Sequence, residues 1–232
     1  SSSQTVLRIE EDGALYQTDH LVDDLFSRFQ GVQSIAAVEA DGRAYVLAGG
    51  ADGGLSLFQL LPHGELLMLD VQEDLTSMSL GQVAALEMRV IGDSLHIFAG
   101  SSNEAGVSHL TVTLPDVGVE RTTTVGGTIT GSSDSDILYD ASRDEEMNGG
   151  DGDDILIGGQ GSDRFDGGDG EDIFIIAGDG SDDRIVNFVP GEDYIDLTGW
   201  SGVYGTASLT FSSVAGGGRI IHGDERLILR SA

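Results

Sequence analysis

The chain of 232 residues has no cysteine, no lysine and only three prolines, and each shortage excludes a class of structure or partner. Without cysteine there is no disulfide framework, thiol nucleophile or thiolate metal site, so any bound metal must rely on other ligands, chiefly oxygen. The low proline count excludes collagen and proline-rich linkers. Eleven basic against 40 acidic residues give a formal net charge of −29, which repels nucleic acid and anionic membranes and favours cations as partners.

Long apolar runs are also missing. No stretch reaches the roughly 18 consecutive apolar residues of a transmembrane helix, so no membrane insertion is predicted. Residues 1–11 lack the basic and apolar regions of a secretory signal peptide, so an export signal, if present, is expected elsewhere. Because residue 1 is serine, the chain is also compatible with a processed piece of a longer protein.

The first 125 residues predict an all-β domain. Short apolar strands separated by Asp-Gly, Gly-Gly and His-Gly turns are expected at 44–48, 55–60, 65–70 and 95–99. Several features recur after 50 or 51 residues, about the length of one four-stranded propeller blade. Two such units are too few for a closed propeller. The domain is therefore a propeller fragment, a pair of blades completed by another chain, or an open β-sandwich of antiparallel sheets. One helix is predicted over residues 19–29 from its apolar spacing.

Glycine-rich repeats begin after this domain, in the region 126–232. Three consecutive nine-residue segments share one template, with glycine at positions 1, 2 and 4, aspartate at position 6 and an apolar residue at position 8. They are 149–157, 158–166 and 167–175. Segment 131–139 keeps the register with Asp134 in place of a glycine, whereas 140–148 keeps little beyond the spacing. Position 6 supplies the carboxylates of Asp136, Asp154, Asp163 and Asp172. Position 8 supplies Leu138, Leu156, Phe165 and Phe174.

This template predicts a parallel β-roll. Each short strand buries one large side chain, and two repeats complete one turn, so that loops stack on the loops two repeats away. Carbonyl and carboxylate oxygens of stacked loops can then surround a cation with about six ligands at roughly 2.3–2.6 Å, an arrangement that suits calcium better than magnesium. Loops 131–136, 149–154 and 167–172 are expected on one edge and loop 158–163 on the other. The irregular 140–148 segment predicts a vacant or distorted site on that second edge.

Charge predicts that the roll depends on this cation. Between Asp134 and Asp196 there are 20 acidic residues and three arginines, a net charge of −17. Such self-repulsion should leave the metal-free segment as an unfolded acidic linker, so that the free energy of calcium binding becomes free energy of folding. A permanently flexible linker is the alternative, but a linker has no reason to repeat an apolar residue at every ninth position.

A further pattern follows the repeats. After a last loop at 178–182 the chain reads Asn187-Phe188, Pro190-Gly191-Glu192-Asp193 and Ile195-Asp196-Leu197. With the repeats, this segment resembles the C-terminal calcium-binding domain of serralysin-type secreted proteases and the wider repeats-in-toxin (RTX) family of hemolysin-type calcium-binding proteins. The resemblance covers about 100 residues, from Gly131 to the end of the chain. Asn187 stands where the family usually has aspartate, which predicts a weaker terminal calcium site.

The resemblance implies a set of calcium ligands. In the family, backbone oxygens of positions 1 to 4 and the carboxylate of position 6 bind calcium. The residues implicated here, of which Asp182 is a weaker candidate, are Gly131, Ser133, Asp136, Gly149, Gly150, Asp151, Gly152, Asp154, Gly158, Gly159, Gln160, Gly161, Asp163, Gly167, Gly168, Asp169, Gly170, Asp172, Gly178, Gly180 and Asp182. The number of loops predicts about three to five calcium ions. The resemblance also implies secretion by a bacterial type I exporter that reads an uncleaved C-terminal signal, for which residues 208–232 are the candidate.

Catalytic motifs are missing from the chain. There is no His-Glu-x-x-His or Gly-x-Ser-x-Gly motif, and the five histidines are scattered singly. We therefore predict a secreted, extracellular, non-enzymatic protein whose roll serves folding and export beside an interaction domain with a protein or glycan partner. The alternatives are the C-terminal part of a larger secreted metalloprotease or lipase with its active site upstream, and a calcium-dependent surface adhesin.

Overall fold

The structure is a computed structural model that describes residues 3–9, 14–22, 30–75, 78–123, 126–140, 142–203 and 205–230. Within these residues the protein is all-β, with 21 strands and a short 3₁₀ helix at Thr206–Ser208. It contains antiparallel sheets in the N-terminal half and a parallel roll in the C-terminal half, which confirms the predicted fold class. Within the described part of the chain there is no helix with the length and apolarity needed to span a bilayer.

The chain divides into two compact units, Ser1–Leu114 and Pro115–Ala232. The first unit contains three antiparallel sheets. A hairpin is formed by β1 (Ser3–Ile9) and β2 (Leu15–Val22). A four-stranded meander consists of β3 (Ser34–Ala40), β4 (Arg43–Gly49), β5 (Gly54–Leu60) and β6 (Leu66–Glu73). A three-stranded meander consists of β7 (Val83–Ile91), β8 (Ser94–Ser101) and β9 (Val107–Thr113).

The two meanders share one hydrophobic core. Buried residues from both sheets contribute to it, among them Tyr45, Leu47, Leu57, Val83, Leu95 and Ile97. Strands β4 and β8 begin at residues 43 and 94, which matches the 51-residue offset seen in the sequence. The second meander has three described strands where a propeller blade has four, and the propeller-like interpretation stays a prediction.

The helix predicted over 19–29 is wrong for its first four residues, which form the end of β2. There Asp19 pairs with Val6 across the hairpin, and its Oδ2 accepts a hydrogen bond from the Leu66 N–H at 2.9 Å. The neighbouring Thr18 hydroxyl donates to the Gly64 carbonyl oxygen, also at 2.9 Å. These partners stabilise the extended backbone despite the helical apolar spacing. Residues 23–29 of the predicted helix lie outside the described residues.

The second unit is built on two sheets of parallel strands. The first sheet contains β10 (Val117–Thr123), β12 (Ser135–Asp140), β14 (Ile155–Ile157), β16 (Ile173–Ile175) and β18 (Tyr194–Asp196). The parallel strands of the second sheet are β11 (Gly127–Thr130), β13 (Glu145–Asp151), β15 (Arg164–Asp169) and β17 (Asp182–Val186). Ile137 pairs with Ile155 and Ile155 with Ile173, so one turn of the roll takes 18 residues, or two repeats.

The last strands extend the second sheet. Strand β21 (Glu225–Arg230) pairs in parallel with β17 and antiparallel with β20 (Gly217–His222), which pairs with β19 (Thr210–Val214). Strand β10 pairs in parallel with β12 and therefore belongs to the first sheet of the roll. The boundary between the compact units accordingly lies between Leu114 and Pro115.

Large apolar side chains fill the roll. All four predicted position-8 residues are completely buried, namely Leu138, Leu156, Phe165 and Phe174. Met147 and Ile129 continue the same column at nine-residue intervals. The single tryptophan, Trp200, is buried in this core, and its Nε1–H donates to the Ala177 carbonyl oxygen at 3.1 Å. Burying each such side chain contributes about 1.5–3 kcal/mol, which is how strands as short as three residues are stabilised by stacking.

Candidate metal centre

Loops 131–136, 149–154 and 167–172 connect the second sheet to the first along one edge of the roll. Each ends in an aspartate that is at most 1% exposed: Asp136, Asp154 and Asp172. The Asp136 N–H donates to Asp154 Oδ1 at 2.8 Å, and the Asp154 N–H donates to Asp172 Oδ1 at 3.0 Å. One carboxylate oxygen of Asp154 and of Asp172 is therefore fixed by the backbone of the preceding turn.

The second oxygen of Asp154 has a different environment. Asp154 Oδ2 is buried and has no hydrogen-bond partner. A Cβ atom built on Gly149 would collide with this oxygen and would stand 2.5 Å from the Gly167 carbonyl oxygen, so both oxygens face the same point. An ionised buried carboxylate oxygen next to a carbonyl oxygen is unfavourable unless a cation or a proton compensates the charge. The donor set therefore fits a hard cation with oxygen ligands.

At this edge the backbones of successive turns of the roll lie in close contact. Gly168 has φ +112°, and a Cβ on it would collide with the Gly150 carbonyl oxygen of the turn before. An L-residue would therefore suffer both backbone strain and a steric clash at this position. The side chains at position 3, by contrast, are exposed, and their contribution to binding stays a prediction: Ser133, Asp151, Gln160 and Asp169.

The opposite edge contains the loop 158–163. Here the Glu145 N–H donates to Asp163 Oδ1, and the Asp163 N–H donates to Asp183 Oδ1, both at 2.9 Å. Asp163 Oδ2 is buried without a hydrogen-bond partner, as Asp154 Oδ2 is on the first edge. The two edges therefore present carboxylates in the same manner.

In the last loop the buried aspartate is Asp183, next to the predicted Asp182, whose role as a calcium ligand stays a prediction. Asp182 is exposed and pairs with Arg226 at 3.3 Å, whereas Asp183 is buried and continues the hydrogen-bonded column of carboxylates. The reason is an insertion: Arg164 pairs with Arg184, 20 residues later instead of 18. Of the glycines predicted here, Gly180 has open space around its Cα and donates its N–H to Glu225 Oε2 at 2.9 Å, whereas Gly178 stacks closely on the Gly199 carbonyl.

On the first edge, the column of hydrogen-bonded carboxylates extends beyond the last nine-residue repeat, 167–175. The Asp172 N–H donates to Oδ1 of Asp193 at 3.3 Å, and Asp193 is buried. Nearby, the Asn187 amide donates to Asp166 Oδ1 at 2.9 Å, a hydrogen bond that an ionised aspartate could not donate. Asn187 therefore avoids facing Asp166 with a second negative charge, and the weaker terminal calcium site stays a prediction.

Burial makes the carboxylates of both edges poor acids. Desolvation raises the pKa of Asp154 and of Asp183 to about 7, and that of Asp163 and of Asp172 to about 6. Neighbouring carboxylates add to the rise in pKa, and the backbone N–H donors oppose it. At neutral pH the metal-free roll would thus hold partly protonated carboxylates, and a bound cation would displace those protons.

The chain resembles known proteins in structure only weakly. No protein-family model matches the sequence, and a search of curated proteins gives no significant match. Among solved structures, the AlgE6R3 subunit of the Azotobacter vinelandii mannuronan C5-epimerase is 27% identical with a TM-score of 0.29, covering 50% of this chain and 71% of that one. The extracellular lipase LipA from Serratia marcescens is 15% identical with a TM-score of 0.33, covering 89% of this chain and 29% of that one.

Proposed function

We propose that the protein is a secreted calcium-binding protein of the RTX type, whose roll folds when calcium occupies the loops. The observation that carries this proposal is the column of buried aspartates, in which one oxygen accepts a backbone N–H and, at Asp154 and Asp163, the other has no partner. Calcium would be held by these carboxylates together with loop carbonyl oxygens, and it would supply the positive charge that the crowded edges lack.

The negative charge of the roll supports a link between calcium binding and export. A segment with a net charge of −17 resists folding without a cation, so the chain can pass an exporter unfolded and fold outside the cell. We assign export to a type I system and the role of an interaction module, with a protein or glycan partner, to the N-terminal unit. Neither unit is assigned a catalytic reaction.

Calcium titration of the full chain by isothermal titration calorimetry tests this proposal. We expect binding of about three to five ions with dissociation constants near 10⁻⁴–10⁻³ M, the range of extracellular calcium modules. Magnesium at the same concentrations should bind much more weakly, because it retains its water and requires a stricter octahedron. Absence of a calcium signal, or equal binding of both ions, would contradict the proposed function.

A further inference from the structure

The irregular loop 140–145 on the second edge gathers three buried carboxylates. Asp140 and Glu145 come from this loop and Asp163 from the next turn, and their side chains are 7%, 3% and 2% exposed. One carboxylate oxygen from each residue lies within 4.8 Å of the others. The ends of this loop therefore contribute two buried carboxylates, where the regular loop 149–154 contributes one, Asp154.

Backbone groups hold two of these carboxylates by one oxygen each. The Ser142 N–H donates to Asp140 Oδ2 at 2.8 Å, and the Arg143 N–H donates to the same oxygen at 3.3 Å. The Glu145 N–H donates to Asp163 Oδ1 at 2.9 Å. The remaining oxygens are buried and have no hydrogen-bond partner: Asp140 Oδ1, Glu145 Oε1, Glu145 Oε2 and Asp163 Oδ2.

We propose that Asp140, Glu145 and Asp163 form a cation site of their own, distinct from the glycine-loop sites in composition. Three buried carboxylates that each place one oxygen within 4.8 Å of the others match a hard divalent cation, and calcium accepts six to eight oxygen ligands, which leaves positions for carbonyl oxygens or water. Within the irregular loop, the two carboxylates of Asp140 and Glu145 stand where a regular loop has one glycine and one aspartate. Only the identity of the cation rests on the proposed function, because the cluster itself is argued from three buried carboxylates that lie close together.

The local sequence explains how this site arises. Glu145 occupies position 6, where the other repeats have aspartate, and its additional methylene extends the carboxylate further from the backbone. Asp140 occupies position 1, where the regular repeats have a glycine that can offer only its carbonyl. Gly126 lines a surface cleft together with Arg143 and Gly161. A Cβ built on Gly126 would lie 3.5 Å from Glu145 Oε1, so a bare backbone borders the carboxylate.

Two neighbouring substitutions test the site in the full chain. Glu145→Gln removes a proposed ligand, whereas Glu146→Gln removes the same charge from an exposed side chain that pairs with Arg164 at 2.6 Å. In calcium calorimetry we expect Glu145→Gln to lose one bound ion or to weaken one site at least about tenfold, the lower range for changes around a metal centre. Glu146→Gln should retain the binding of the unmodified chain. Identical titrations of the two variants would overturn the inference.

Anomalous diffraction from a crystal of the unmodified chain grown in terbium chloride provides a test that does not depend on how a variant folds. A peak among the three carboxylates supports the site. Peaks confined to the loops of the first edge overturn this inference and leave the proposed function intact. Absence of any peak in the roll contradicts both.

Discussion

Gly149→Ala is expected to shift the calcium-dependent folding of the roll to much higher calcium concentrations. The added methyl group would collide with Asp154 Oδ2 and would stand 2.5 Å from the Gly167 carbonyl oxygen, the two oxygens that converge above Gly149. Relief of the clash must move either the carboxylate or the next turn away from the point where the two oxygens meet, which is the proposed calcium position. Forcing a methyl group into a packed site costs about 1–3 kcal/mol, and each 1.4 kcal/mol changes an equilibrium constant about tenfold.

Gly218→Ala is the matched control for this substitution. Gly218 lies in β20 of the same unit, has no atom within 4 Å of an added Cβ and, like Gly149, does not have a positive φ. Trp200 fluorescence reports folding of the roll specifically, because Trp200 is the only tryptophan and is buried in the roll core. A Gly149→Ala variant with the same calcium midpoint as Gly218→Ala would contradict the arrangement of oxygens described here.

Acid is expected to stabilise the roll when calcium is absent. Burial raises the pKa of Asp154 and of Asp183 to about 7 from the ordinary value of 3.8, and Glu145 likewise has its pKa raised by burial, to about 7. Between pH 4 and 7 the folded, metal-free roll therefore binds more protons than the unfolded chain does. The free energy of unfolding must then fall as the pH rises through this window. The contribution of these carboxylates to that free energy is greatest below about pH 4.

The pH dependence can be followed by Trp200 fluorescence in buffer freed of calcium. We expect the emission of a buried tryptophan near pH 4 and that of an exposed one near pH 7, with the loss of folding spread over the interval between them. In millimolar calcium the order should reverse, because the cation competes with protons for the same carboxylates. A metal-free roll that gains stability as the pH rises from 4 to 7 would show that the buried carboxylates are not the groups that oppose folding.

The roll itself could be predicted because its repeats are short and regular. A two-repeat turn requires an apolar residue at each ninth position, and Leu138, Leu156, Phe165 and Phe174 are buried as that spacing requires. The observed 18-residue register of Ile137, Ile155 and Ile173 follows from the same count. In this region local pattern and tertiary packing agree, so the sequence alone was sufficient.

Insertions and substitutions conceal the rest of the carboxylate columns. Asp183 and Asp193 follow their partners Asp163 and Asp172 by 20 and 21 residues, so a nine-residue count misses both. Asp140 and Glu145 lie in a segment without glycines, and only the position-8 residue Met147 signals that the roll continues there. A sequence search for large apolar residues spaced nine apart, each with an acidic residue two positions earlier, would have found Glu145.

The N-terminal unit shows how tertiary contacts override local spacing. The strands of its meanders were predictable from alternating apolar residues and turn signals. The apolar spacing that begins at Asp19 suggested a helix, yet the Asp19 carboxylate binds the Leu66 N–H and the segment 19–22 is a strand. A partner 47 residues away along the chain cannot be detected by a local pattern.

Hydrogen exchange measured by mass spectrometry on the full chain, with millimolar calcium and with chelator at pH 7, tests the central claim most directly. In calcium, amides of residues 145–175 should be protected, because the strands β13 to β16 are paired in the roll. In chelator, these amides should exchange at the rate of an unfolded chain, while residues 43–60 in β4 and β5 keep their protection as an internal control. Equal protection of 145–175 in both buffers would contradict the claim that calcium folds the roll.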